Sequence, residues 1–375
     1  MRWIALVLAA VFAIPLILLG PHGSVVAFKT AMFVPEIFPD APIQPLRWIT
    51  SASNVERSTI PYPGGNARLD VYVPAHEGRH AAVILMLGAR PIDQDDPVIT
   101  RFADGLSRMG IVVMVPASDG LSTGAISPDE IDLLVRELIL LRERPDVDKS
   151  RVGYIGLSVG ASLSLVAAAD ARIRDDVRFV NAFGGYFDVR DLFVALSSRS
   201  LNYAGETSDW EPAPLAREVM IENVALGLPS DGERECVRKV SESTDSTDWC
   251  ESVPLSPMGE DALALLDEPD TGRAQQLVKV LTAPSMKRLD AISPRSVVAE
   301  IKADVLVMHD VNDRYIPYTE SRRLIAALPE SRLRAWTELE LFDHVMPGHG
   351  LDPATFSREV AELFRHVYLT FMEIL

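Results

Sequence analysis

What the chain lacks narrows its chemistry first. Two cysteines in 375 residues exclude a disulfide-dense scaffold. No C-x-x-C pair and no dense His/Asp cluster speaks for a metal site, so no metal and no cofactor is expected. G-x-x-x-x-G-K-S/T is missing, which removes the P-loop route to nucleotide phosphates. There is no internal repeat and no long low-complexity tract. Basic residues are outnumbered 36 to 53, for a net charge of −17. A surface that acidic repels phosphate backbones, so nucleic acid is not an expected partner. The 48% hydrophobic and 24% charged fractions are those of a folded globular protein with material for a sizeable core.

The amino-terminal stretch reads separately. After Met1 and Arg2, Trp3 to Gly20 holds no charged residue, and the next charge is Lys29. Charge first and an apolar run after it is the pattern of a membrane-targeting segment, and the run approaches the roughly 20 residues that span a bilayer. The preferred reading of residues 1–28 is an uncleaved anchor with its N-terminus in the cytoplasm. A signal cleaved after Val25-Val26-Ala27 and a core helix are the alternatives. Either targeting reading puts the rest of the chain outside the cytoplasm, anchored or secreted. In such a chain Cys236 and Cys250 can close one disulfide or remain two thiols; their spacing leaves both open.

Residues 29–66, rich in proline and without periodicity, read as a spacer before a domain over 67–375. Leu69 to Val73 alternates like a half-buried strand. Ala81 to Leu87 is a continuous apolar run, as in a strand buried on both faces of a parallel sheet. Ile111–Val115, Arg151–Ile155, Phe179–Phe183 and Asp304–Met308 repeat that theme, and Ala335–Leu341 offers a further strand. Helices fall between them. Ser127, Pro128 and Glu130 form a capping box ahead of Ile131, Val135, Leu138 and Leu141. Asp352-Pro353 opens the last helix, with Phe356, Val360, Leu363 and Val367 inward. Alternating strands and helices mean an α/β fold with a mostly parallel, doubly wound sheet. About 192–294 breaks the alternation and reads as a helical cap. Its stretch 201–270 holds 17 acidic and 4 basic side chains. The other reading of that stretch is a solvated acidic region without a role at the site.

Gly156-Leu157-Ser158-Val159-Gly160 fits G-x-S-x-G, with a strand running into it and a small-residue helix after it, the setting of a nucleophile elbow. A serine hydroxyl needs a base to remove its proton, and histidine supplies one near neutral pH. His344 sits just after the last expected strand; His349 is its rival. Asp313 lies in the loop beyond Asp304–Met308 and is the candidate to orient the imidazole. Asp310 is the alternative acid and Asp188 a minor one. Gly184-Gly185-Tyr186 reads as a turn, or else as pocket lining.

Ser158, Asp313, His344 is the chain order of the α/β-hydrolase superfamily. From Arg68 to Leu369 the sequence resembles the dienelactone-hydrolase-like and prolyl-oligopeptidase-like branch of that superfamily. The resemblance rests on Pro145 to Gly153 leading to the elbow, on Gly156 to Gly160, on His309 to Pro317 and on Phe342 to Pro347. Asp310 stands where the branch has glycine, and Ser158 where dienelactone hydrolases proper have cysteine. The resemblance implies an α/β-hydrolase fold with a helical cap insertion and an oxyanion hole from the Ala89 and Val159 N–H groups. It implies a serine hydrolase that cleaves carboxylic esters through an acyl-enzyme. A peptidase or an acyltransferase on the same fold is the first alternative. A non-catalytic binding protein at the cell envelope is the second. The expected partners are a small ester or acyl substrate and, through residues 1–28, a membrane.

Overall fold

The computed structural model describes residues 2–39, 41–89, 94–242, 250, 252–280, 283–348 and 350–375, with residues 2–18, 240–242, 280 and 283–286 as helical backbone alone. Eight strands form one sheet: β1 (Asn54–Tyr62), β2 (Gly65–Val73), β3 (His80–Met86), β4 (Ile111–Ser118), β5 (Val147–Leu157), β6 (Phe179–Phe183), β7 (Asp304–Asp310) and β8 (Leu333–Leu339). Their spatial order is β1-β2-β4-β3-β5-β6-β7-β8. β1 pairs antiparallel with β2, and β2 antiparallel with β4; every other pair is parallel.

The apolar runs become central strands because both faces of the sheet are covered. Alternate side chains of a strand point to opposite faces. In β3, Ala82, Ile84 and Met86 pack beneath α3 (Asp129–Glu143) and α4 (Val159–Ala169). Ala81, Val83 and Leu85 pack beneath α1 (Arg2–Ile37), α2 (Pro97–Arg108) and α12 (Pro353–Ile374). Asp352 caps α12 by accepting the Ala354 and Thr355 N–H groups.

Between β6 and β7 the chain builds the cap. It comprises α5 (Val189–Ser198), α6 (Pro214–Ala225), α7 (Asp231–Glu242), α8 (Pro257–Leu266), α9 (Thr271–Val280) and α10 (Ala283–Ala291). A disulfide joins Cys236 to Cys250. The cap also holds a small antiparallel hairpin, Ser200–Tyr203 with Glu206–Asp209, where no strand is expected from sequence. The following helix is α11 (Tyr318–Ala327).

Several expectations change. The stretch read as a spacer carries β1, whose side chains are mostly exposed and therefore show no hydrophobic alternation; pairing with β2 makes it a strand. Val26 and Phe33 of α1 are buried, and the Phe33 ring meets Phe371 of α12 edge-on at 5.2 Å, so this part of the chain packs on the domain. α1 is kinked at Gly20, where φ is 68°. Among the described residues no helix is long and apolar enough to cross a membrane. The side chains of residues 2–18, most of the expected anchor, lie outside the described residues. Ser127 caps α3 by accepting the Asp129 N–H at 3.2 Å. Glu130 does not complete the box: its buried carboxylate accepts the Tyr62 hydroxyl at 2.8 Å. Phe356 faces outward and meets Phe38 rather than the core.

Candidate active site

β5 ends in a sharp turn at Ser158, whose φ of 57° and ψ of −131° are rare for a residue with a side chain. The turn forms because its flanks carry no Cβ. One on Gly156 would run into the Ala161 backbone, and one on Gly160 into the carbonyls of Met86 and Leu87. The Ser158 N–H donates to the Phe183 carbonyl at 2.8 Å. α4 starts immediately after, so its positive end favours negative charge that develops beside Ser158.

The imidazole comes from a second strained position. His344 has φ 63° and sits in the turn between the two-residue strands Phe342–Asp343 and Met346–Pro347. Its Nδ1–H donates to Asp313 Oδ2 at 2.6 Å. The Tyr315 ring stacks on it, with centroids 4.7 Å apart. Asp313 is itself held on all sides. Its Oδ1 accepts the Tyr315 and Ile316 N–H groups at 2.7 and 3.0 Å, and His309 Nε2 lies 3.2 Å from Oδ2. Burial alone would raise the Asp313 carboxyl, but His344 and His309 outweigh it and hold the group well below the usual carboxylate range.

Asp310 does different work. Its carboxylate accepts the Phe342 N–H at 2.7 Å and the Asn312 N–H at 2.9 Å. It therefore ties the end of β7 to the histidine turn. Burial pushes its carboxyl up to about 6, against the pull of those two N–H groups. Asp188 caps α5 and binds Arg190 and Arg295. His349 lies outside the described residues.

Ser158 and His344 line one cavity of about 160 Å³, together with Gly88, Ala89 and Val159. Ser158 Oγ makes no hydrogen bond among the described residues, and such bonds commonly tighten only around substrate. The cap supplies Leu192, Phe193 and Leu196 of α5 and Val219 and Met220 of α6 to the lining, and Ile126, from before α3, joins them. Among the described residues Asp343 is the one acidic residue of the lining. The cap acids turn elsewhere, as where Glu268 holds Arg199 and Arg217, and Glu222 holds Arg238. Gly184 makes a turn at φ 66°, and Tyr186 just beyond it lines the cavity.

Three contributors escape the sequence reading. His309 is buried at the acid, with its Nδ1 accepting the Ser321 hydroxyl at 2.5 Å. Tyr315 stacks on His344. Trp210, from the cap, donates its indole N–H to the Asp313 main-chain oxygen at 2.9 Å. His309 and Tyr315 lie within the His309–Pro317 stretch; a lone tryptophan in the cap carries no signal. A further pattern, His76-Glu77-Gly78-Arg79-His80, also passes unnoticed: it has the H-E-x-x-H spacing of zinc hydrolases. That chemistry needs a helix to present both imidazoles on one face, and here the segment is a loop ahead of β3. Among the described residues no group of three His, Cys, Asp or Glu is placed to hold a metal.

The architecture now has three marks: a sheet whose order reverses around β3 and β4, a strained serine turn after β5, and acid and histidine loops after β7 and β8. The fold is that of the α/β hydrolases. No protein-family model and no curated protein matches the sequence. Among solved structures the chain is similar to 2,6-dihydroxy-pseudo-oxynicotine hydrolase, at 15% identity and a TM-score of 0.48 over 86% of this chain and 70% of that one. It is similar to a Pyrobaculum calidifontis esterase at 16% and 0.46, over 93% and 92%. A putative dipeptidyl aminopeptidase IV from Bacteroides ovatus follows at 13% and 0.48, over 86% and 36%; this chain spans about a third of that protein's length.

Proposed function

We propose that the protein is a serine hydrolase of carboxylic esters with an apolar acyl group. The observation that carries this reading is the Asp313–His344 pair opening on the same cavity as the Ser158 elbow. Asp313 fixes the tautomer with Nδ1 protonated, which leaves Nε2 as the base. Ser158 attacks the acyl carbonyl, His344 takes its proton, and the proton then passes to the departing alcohol. The Ala89 and Val159 N–H groups stabilise the oxyanion, each such donor lowering the barrier by about 3–4 kcal/mol. Water, activated by His344, then releases the acid.

The cap wall supports an apolar acyl group. A cavity of about 160 Å³ holds on the order of a dozen water-sized groups, which suits acyl chains of roughly four to eight carbons. Peptide and acyl-transfer chemistry use the same machinery, and no lining residue favours them. We place the catalytic domain outside the cytoplasm. The Cys236–Cys250 disulfide supports that placement, because such bonds persist in oxidising compartments.

The test is a series of p-nitrophenyl esters of increasing chain length beside aminoacyl anilides. Turnover peaking on esters of intermediate length, and lost by several orders of magnitude in a folded Ser158→Ala variant, is expected. Anilides turned over faster than every ester would replace the reading with a peptidase. A folded wild-type protein left unlabelled by a fluorophosphonate would replace it with the binding protein.

A further inference from the structure

A second, larger cleft of about 610 Å³ opens at the other end of the sheet. Arg151 in β5 lines it, seven residues before Ser158, so about 23 Å of extended strand separates it from the serine. His80 at the start of β3, and Met109 and Gly110 just before β4, place it at the amino ends of the parallel strands.

Its chemistry is the reverse of the molecule's. In a chain of net charge −17, the charged side chains lining this cleft are Lys29, Arg79, Arg108 and Arg151, joined by His76 and His80. Among the described residues no aspartate or glutamate is in the lining. Asp104 and Asp148 stand behind it and engage Arg108 and Arg151 at 2.7 and 2.9 Å, and Arg151 also donates to the main-chain oxygen of Leu375. Among the described residues Lys29 and Arg79 have no anionic partner. Lys29 Nζ meets only the Met109 carbonyl, at 3.1 Å, and Arg79 is exposed with no ion-pair partner among the described residues. Burial and the nearby Arg151 depress the Lys29 ammonium, the sign of a cation lacking an anion.

The rim is apolar. Phe28 and Ile49 line the cleft yet stay largely in solvent, and Trp48 beside them is 72% exposed. Isolated exposed apolar residues are ordinary; a group of them bordering uncompensated cations has the make-up of an interfacial site. Moreover, the helix supplying Phe28 and Lys29 follows directly on the uncharged run Trp3 to Gly20.

We propose that this cleft seats the phosphate headgroup of an acidic phospholipid, with Lys29 and Arg79 on the phosphate and Phe28, Trp48 and Ile49 against the acyl region. Choline lipids cancel their phosphate with a cation of their own, so the site discriminates by net headgroup charge. The proposal does not rest on the ester-hydrolase reading, because the cleft and Ser158 share no residue.

The test is thermal unfolding of the full chain in a neutral detergent, with short-chain phosphatidylglycerol, short-chain phosphatidylcholine or inorganic phosphate added. A ligand bound only by the folded state raises Tm. Phosphatidylglycerol should raise it by about 2–4 °C, and the other two should not. Arg79→Glu, at an exposed position, should abolish the shift while leaving the unliganded Tm and any ester turnover unchanged; Lys29→Met is the second variant. Equal shifts with phosphatidylcholine, or a full shift with inorganic phosphate alone, would overturn the proposal, the latter in favour of a soluble-anion site. A shift retained in both variants, or none at all in the wild type, would overturn it as well.

Discussion

The indole N–H of Trp210 donates to the main-chain oxygen of Asp313 at 2.9 Å, so a cap residue holds the loop that orients the His344 imidazole. Three residues on, the Ala213 N–H reaches the Arg314 carbonyl at 2.6 Å, and Arg314 Nε–H donates back to the Glu211 carbonyl at 3.0 Å, so three hydrogen bonds stitch the cap to the acid loop. Trp210→Phe keeps most of the packing and removes one of the three. Because Trp210 acts through Asp313, kcat for an ester substrate should fall about three- to tenfold with KM nearly unchanged, a loss of about 1 kcal/mol for a single neutral hydrogen bond. A rise in KM alone would instead mark Trp210 as a wall of the substrate cavity.

Asp313 and Asp310 are three residues apart and should respond differently to loss of charge. Asp313→Asn leaves the shape of the pair but puts an amide where His344 Nδ1–H needs an acceptor, which favours the wrong tautomer. A fall in kcat of roughly 10³–10⁴ is expected. Asp310→Asn retains an oxygen for the Phe342 N–H and touches no reacting atom, so its fall should stay within about tenfold. Steady-state kinetics on one p-nitrophenyl ester settles the order; a larger fall for Asp310→Asn would reassign the acid.

The pH dependence of stability follows from the same buried pair. The Asp310 carboxyl titrates at about 6 in the folded protein, against 3.8 for a free aspartate. The folded state therefore holds this proton more tightly than the unfolded chain does. The resulting stabilisation is complete below about pH 4 and is lost as pH rises through about 6, amounting to about 3 kcal/mol at most. Urea unfolding of wild type and Asp310→Asn at pH 5 and pH 8 should show the wild type losing more stability over that interval. Parallel pH profiles would mean that Asp310 is ionised throughout.

How much of this was legible beforehand depended on whether a residue's role was local. β3, β6 and β7 announce themselves because a strand buried on both faces carries a run of consecutive apolar residues, with polar ones kept mostly to its ends. The Ser158 turn is legible because its glycines fall at fixed spacing around the serine, although only Gly156 is demanded by nearby backbone and Gly160 answers to the Met86 and Leu87 carbonyls of the neighbouring strand. β1 is not, since an exposed edge strand has no burial pattern to display and owes its form to β2. Asp310 and Asp313 look alike in the string. What separates them is the distant turn at His344, which takes one carboxylate through its ring and the other through the Phe342 backbone. Glu130 misleads for a related reason: its spacing from Ser127 fits a cap, but the Tyr62 hydroxyl, brought over by β1, outcompetes that local bond.

The same helix carries a more costly carboxyl. Glu137 of α3 is fully buried, and neither of its oxygens has a hydrogen-bond partner among the described residues. Burial, with Glu130 adding repulsion, raises its carboxyl well above the usual range and so favours the neutral acid. An unpartnered polar group in that position costs about 1–3 kcal/mol. Glu137→Met replaces it with an apolar chain of similar length that the surrounding core accommodates, and should be stabilising. The gain should grow with pH: the raised folded-state value means that the wild type loses stability as pH climbs, whereas the variant has no such proton to lose. Thermal unfolding at pH 6 and pH 8 measures both parts, with Tm expected to rise by about 2–6 °C at the lower pH and by more at the higher. A variant less stable than wild type at both would show that this carboxyl has a partner whose loss outweighs its burial.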